Sequence, residues 1–219
     1  MKRTLAALAS MAGALGLAGI AHATVYDLNV DSCSGGCGLS DYGTVTVTGE
    51  GTGTLNISIA LSPSSVFFNQ AGNALDAVAF SLVGGPGITI SGLPSTFVAN
   101  GAQAAGSNHE DGLGFWDYIV DWVGPPTSNS PLTTHNLSFT VTGPTPLTLG
   151  FNPINGKNVF FSVDIANKVS ADVINTGVVG ATLAAVPEPA TWAMMLFGVG
   201  AIGATMRASR RNSSALAAA

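Results

Sequence analysis

A chain of 219 residues has room for one ordinary domain plus targeting segments. Between Thr24 and Val186 it carries two basic residues, Lys157 and Lys168, against eleven acidic ones, a net charge of −9. Such a surface repels a phosphate backbone and excludes nucleic acid as a partner.

Lys2 and Arg3 open the chain with positive charge, and Leu5 to Ile20 follows as an uncharged run of 16 residues. Ala21-His22-Ala23 then presents small residues on either side of one position, the form a signal peptidase accepts. The run is short for a membrane span, and polar residues follow at once. Residues 1–23 therefore read as a signal peptide for Sec export, with Thr24 as the mature N-terminus.

Cys33 and Cys37 are the only cysteines. In an oxidising compartment two thiols this close pair, and the glycines between them let the chain turn back. The spacing is C-x3-C, which is neither the C-x-x-C of thiol oxidoreductases nor a haem attachment site. Two cysteines alone do not make a zinc site.

Residues 24–186 read as strands. Leu55, Ile57, Ile59 and Leu61 alternate with Thr54, Asn56 and Ser58. Tyr26, Leu28 and Val30 alternate in the same way, as do Val45 and Val47. Further strands are expected over 75–83, 116–123, 137–141, 147–151, 159–165 and 178–183. Gly84-Gly85-Pro86-Gly87, Gly124-Pro125-Pro126 and Gly143-Pro144-Thr145-Pro146 punctuate them. No stretch there has the caps and period of a long amphipathic helix. The expectation is an all-β domain, an antiparallel β-sandwich of which a jelly roll is one form. Phe67, Phe68, Phe80, Phe139 and Phe161 join the aliphatic faces as its core.

From Val186 the chemistry changes. Pro187 and Pro189 hold an extended stretch around Glu188. Thr191 to Met206 carries no charge, and as a helix it would reach roughly 24 Å, enough to span if flanking arginines snorkel. Trp192 stands at one end, and Arg207, Arg210 and Arg211 at the other. The arginines keep that end cytoplasmic and the domain outside. Residues 212–219 form a short tail beyond them.

These parts together resemble the PEP-CTERM sorting domain in its PEP-x-x-W-A-M-M variant. The matching residues are Pro187, Glu188, Pro189, Trp192, Ala193, Met194 and Met195, then the glycine-bearing apolar segment and Arg207, Arg210 and Arg211. The resemblance covers residues 187–211. It implies a transient inner-membrane anchor and processing by an exosortase near the Pro-Glu-Pro motif. It also implies release at the surface of a Gram-negative bacterium that makes exopolysaccharide. Asn212 to Ala219 runs past the point where such tails usually stop. Gly198, Gly200 and Gly203 spell the dinucleotide fingerprint, but inside an apolar segment with no preceding strand they suit close helix packing better.

Catalytic signatures are absent: there is no H-E-x-x-H, no Walker loop and no complete nucleophile elbow. The expectation is a non-enzymatic surface or extracellular-matrix protein. Its rivals are a carbohydrate-binding module for the matrix polysaccharide and a polysaccharide-acting hydrolase. Ser107 to Trp122 concentrates acids and aromatics. On one strand Trp116, Tyr118, Val120 and Trp122 would share a face, with Asp117 and Asp121 on the other. That is either a core strand with a solvated edge or a ligand surface. In the second case Trp116, Tyr118 and Trp122 stack on sugars, and Asp111 or Asp117 helps hold calcium. No EF-hand spacing supports the calcium, and no other cofactor is expected.

Overall fold

A computed structural model describes residues 22–33, 36–69, 76–100, 106–123, 130–131, 134–168 and 173–185, with Met195 and Val199. The chain divides into two compact units, Met1–Leu183 and Ala184–Ala219. The first is all-β. Its strands are β1 (Ala23–Asp31), β2 (Gly43–Thr48), β3 (Thr54–Leu61), β4 (Ser65–Asn69), β5 (Asp76–Phe80), β6 (Thr89–Ser91), β7 (Phe97–Asn100) and β8 (Asn108–Glu110). They continue with β9 (Gly114–Trp116), β10 (Tyr118–Trp122), β11 (Ser130–Pro131), β12 (Asn136–Thr142), β13 (Asn152–Ile154), β14 (Lys157–Lys168) and β15 (Val173–Leu183).

Alternation in the sequence sets the clearest of these. Along β3 every second side chain is buried, with Leu55, Ile57, Ile59 and Leu61 inward. Such a face leaves water only if a second apolar face covers it. β12 pairs with β3 in the register Phe139↔Ile57 and Leu137↔Ile59, so their apolar sides coincide.

Among the described residues, one antiparallel sheet runs β6-β12-β3-β2-β1-β15-β14-β5-β10-β7. β4 and β13 add to β14, β11 adds to β4, and β8 and β9 form a separate hairpin. The two-sheet sandwich expected from the sequence is thus a single curled ladder, nearly barrel-like. Four irregularities interrupt its register: at Leu28/Val30, at Val159/Phe161, at Asn167/Lys168 and at Val120/Asp121. A bulge adds one residue to one strand and sharpens the local twist. The curl brings Phe80 of β5 to 6.0 Å from Phe139 of β12, ring to ring, although five strands separate them along the ladder.

The main core fills this curl, with Leu28, Val45, Ile57, Phe80, Phe139 and Phe161 among its members. A smaller apolar layer lies on the other side of the ladder, where Val30, Ala79, Ile119 and Val159 meet Leu113 and Trp116 of the β8–β9 hairpin. The segment 147–151, expected as a strand, makes only an isolated bridge from Leu149 to Leu82. Its amides and carbonyls are split between two neighbours instead: Leu147 N donates to Thr52 O, and Gly150 N to Ser81 O.

Residues 1–21, which hold the expected signal peptide and Ala21, lie outside the described residues. So does most of 186–219. In the second unit Met195 and Val199 are helical and exposed. The membrane helix expected over 191–206 otherwise falls outside the described residues, and no helix among them is long and apolar enough to cross a membrane.

Phe80 packs against Tyr118, Phe139 and Phe161 and is fully buried. Phe80→Ala is expected to cost about 3–5 kcal/mol of unfolding free energy, read from the urea midpoint. A loss below about 1 kcal/mol would mean that this aromatic cluster does not close the curl.

Candidate functional site

The β8–β9 hairpin organises the segment richest in acids and aromatics. Its turn runs Glu110-Asp111-Gly112-Leu113, closed by Leu113 N donating to Glu110 O at 3.0 Å. Gly112 has φ +76°, which glycine adopts freely, and a Cβ there would meet Ser32 Oγ. The Ser32 hydroxyl donates to Asp111 O at 2.8 Å. Asn152 Nδ2 donates to Leu113 O and Phe115 O at 3.2 and 2.8 Å. Leu113 and Trp116 are fully buried, so the hairpin is seated by both polar ties and apolar burial.

This seating corrects the single-strand reading of 116–122. Trp116 belongs to β9 and joins the outer layer, whereas Tyr118, Val120 and Trp122 of β10 point into the main core. The chain turns between them at Asp117, whose amide donates to Ser81 Oγ. Trp116 and Trp122 are 0% and 3% exposed, and Tyr118 3%. None of the three offers a ring face to a sugar. The Tyr118 hydroxyl donates to Pro86 O. Asp117 Oδ1 accepts the Gly106 amide at 2.7 Å, and the Asp111 side chain is 97% exposed beside His109. Asp111 and Asp117 are not brought together around a common point.

A different set of acids is. Asp121 was expected on a solvated edge, yet it is 3% exposed. β5 lies between β10 and β14. Val78 of β5 pairs with Val120 on one side and Val163 on the other. The next ladder position skips Ala77 and sets Asp121 opposite Asp76. Asp164 follows Val163 on the third strand. Glu110, at the end of β8, reaches the same place from the hairpin and hydrogen-bonds Asp76. Glu110, Asp121 and Asp164 are all at least nine-tenths buried.

The electrostatics follow from that placement. Burial, and then the charge of Asp76, pushes Asp164 up to about 8. Burial raises Glu110 as well, helped by the charges of Asp76 and Asp164. Asp121 is raised by burial, then by its hydrogen bond to Asp76 and by the charge there, against an opposing bond from Asn100. Asp121 Oδ1, Asp164 Oδ1 and the Ser162 hydroxyl are buried without a hydrogen-bond partner. Sequence reasoning missed Asp76, Glu110 and Asp164 as a group. The available signal was a lone acid inside each of two apolar strands, Tyr118–Trp122 and Val159–Ile165, in a domain with two lysines.

The cysteines do pair: Cys33 and Cys37 form a disulfide with Cα atoms 5.4 Å apart. Asp31 braces that loop. Its Oδ1 accepts the Cys33 amide at 2.9 Å, and its Oδ2 accepts the Cys37 amide at 2.8 Å and the Tyr42 hydroxyl at 2.6 Å. Asp31, Cys33 and Cys37 bring ligand atoms within 4.8 Å of one another, but disulfide sulfurs are not thiolate ligands.

On the far side of the ladder, β2, β3 and β12 expose a face of hydroxyls and amides. In register across it stand Thr46, Ser58 and Ser138, then Thr48, Asn56 and Thr140. They line a shallow groove of about 330 Å³ that contains no carboxylate.

Residues 185–211 match the family model of the PEP-CTERM protein-sorting motif. The tail is a PEP-CTERM sorting motif. It holds Pro187, Glu188, Pro189, Trp192, Ala193, Met194, Met195, Arg207, Arg210 and Arg211. A PEP-CTERM motif implies export through the membrane toward the cell surface, with an exosortase as the processing partner. No curated protein and no solved structure matches the chain.

Two outcomes follow from this geometry. Trp116→Ala is expected to destabilise the domain by roughly 3–5 kcal/mol, measured by denaturant melting; a near-neutral effect would contradict a seated hairpin. Asp31 is raised by partial burial, but the Tyr42 hydroxyl and the Cys33, Cys37 and Gly38 amides outweigh this and lower it. A carboxyl lowered in the folded state stabilises above its unfolded value, near 4, and stops doing so as pH falls through the folded value. The melting difference between wild type and Asp31→Asn should therefore be constant above about pH 5 and shrink in stronger acid. A difference independent of pH down to about 2.5 would remove the role given to this carboxylate.

Proposed function

We propose that this chain is a non-enzymatic surface or extracellular-matrix protein of a Gram-negative bacterium, associated with exopolysaccharide. The observation that carries the reading is the sorting motif over residues 185–211. The Sec machinery exports the chain, and signal peptidase cuts after Ala23. The apolar tail anchors it transiently in the inner membrane until exosortase processes it. β1 begins at Ala23, so the mature chain would enter the sheet at its first residue. Thr24 pairs with Val47, and its hydroxyl donates to Glu50 Oε2 at 3.1 Å. A cut there leaves every later rung of the β1–β2 ladder in place.

Supporting the non-enzymatic reading, Glu110, Asp121 and Asp164 are buried, whereas glycoside hydrolysis needs two acids open to a sugar between them. A carbohydrate-binding role is the second reading. What favours it is the hydroxyl- and amide-lined groove on β2, β3 and β12, since the buried tryptophans do not.

Replacing Pro187, Glu188 and Pro189 together by alanine is expected to hold the protein in the inner membrane at unprocessed size. Fractionation and immunoblotting of cells carrying the exosortase read this directly. Normal delivery at wild-type mobility would refute the sorting reading.

A further inference from the structure

Four acids from four strands converge under the β8–β9 hairpin with no basic side chain in their number. Three of them, Asp121, Asp76 and Asp164, lie across neighbouring strands of one sheet, where like charges placed opposite each other repel. The bulge at Ala77 is what sets Asp76 opposite Asp121, since regular pairing would have placed alanine there. Bulges of this kind re-aim side chains next to functional sites. The domain's two lysines stand at the ends of β14, Lys157 and Lys168, and Asp164 is four residues from the nearer one along an extended strand. The one ion pair among the described residues joins His109 to the exposed Asp111.

The second observation concerns the acceptors left over. Asp121 Oδ1 and Asp164 Oδ1 are buried and unpartnered, and so is the hydroxyl of Ser162, on the same face of β14 as Asp164. Buried oxygens without donors are costly, and several at one place call for a shared positive partner. Four carboxylates supply up to eight hard oxygens and neither nitrogen nor sulfur. That donor set suits calcium, which takes six to eight oxygens in flexible geometry. It suits magnesium less, because magnesium keeps its waters and demands an octahedron.

We propose that Asp76, Glu110, Asp121 and Asp164 form a binding site for a divalent cation of the calcium class, capped by the β8–β9 hairpin. The strand acids supply the floor, and Glu110 closes the site from above. No three of the four bring one oxygen each within 4.8 Å of one another. That holds for the three strand acids as well as for Glu110, so binding needs the four carboxylates to turn toward one another, the seated hairpin keeping Glu110 beside Asp76. This site is separate from Asp111 and Asp117, the acids to which the sequence pointed.

The test uses the full chain in nonionic detergent, stripped with EGTA and then titrated with calcium chloride. At 5 mM calcium the melting temperature should rise by about 3–10 °C, the mass-action gain for an extracellular-type site in a domain of this size. Equilibrium dialysis should find one calcium per chain. Magnesium at the same concentration should give less than about half the shift. Asp164→Asn and Glu110→Gln should each weaken calcium binding about tenfold or more, yet melt in EGTA at or above wild type, because each removes one of the mutually repelling charges. Asp111→Asn should keep the full shift. A wild-type chain that binds no calcium at 5 mM overturns the site, whatever the variants do. So does a shift that persists undiminished in both Asp164→Asn and Glu110→Gln.

Discussion

β15 lies between β1 and β14, and its two ladders join the halves of the curled sheet. On its inner side Val179 and Ala181 are fully buried in the main core. On both sides the strand carries glycine where bulk would not fit: Gly180 faces the outer layer, and Gly177 shares the face of Val179 and Ala181. A Cβ on Gly180 would stand 2.7 Å from Val159 Cγ1 and 3.3 Å from Leu113 Cδ2. A Cβ on Gly177 would stand 2.9 Å from Cys33 Cα. The absence of side chains at these two positions lets the hairpin and the disulfide loop pack directly on the β15 backbone. The hairpin on one face and the disulfide loop on the other depend on that one strand being smooth where they touch it.

Once Leu113 is seated there, the rest of the hairpin follows by chain connectivity. Trp116 fills the layer above Ala79 and Ile119, and Glu110 is carried over the ends of β5 and β10. A carboxylate in that position would keep its charge at little cost in water. Under the hairpin it faces three more, in a medium that screens poorly, and the charged forms are disfavoured together. Two kinds of positive partner relieve such a cluster: protons shared among the carboxyls, or one cation bound by all of them. The unpartnered oxygens of Asp121 and Asp164 weigh toward the cation, because a proton satisfies one or two oxygens whereas a calcium ion gathers several.

The parts legible in the sequence were those decided by local pattern. β3 was read to its last residue, because period-two alternation with one buried face leaves a single register. β1, β2, β12 and the middle of β14 were found on the same signal. The curl was not, since the register shifts that go with it are not announced by alternation. β8 and β9 are three residues each, too short for any period, so 116–123 was read as one strand and Trp116 was put on the same face as Tyr118 and Trp122. Asp121 and Asp164 show the limit most clearly. A lone acid in an apolar strand has the pattern of a solvated face. Tertiary packing, which the pattern does not announce, turns both positions inside.

The sorting tail was legible for the opposite reason: its three parts are contiguous and need no tertiary contact to be recognised. The address and the domain still bear on one another through the compartment they select. A disulfide between Cys33 and Cys37 forms where thiols oxidise, beyond the membrane. A weak calcium site of the extracellular kind fills where calcium is plentiful, again beyond that membrane. Before export the chain would have neither link: the first loop would be open, and the acids at the hairpin would hold no cation. After export the acids beneath the hairpin would do for the outer layer what the cysteines do for the loop at the end of β1.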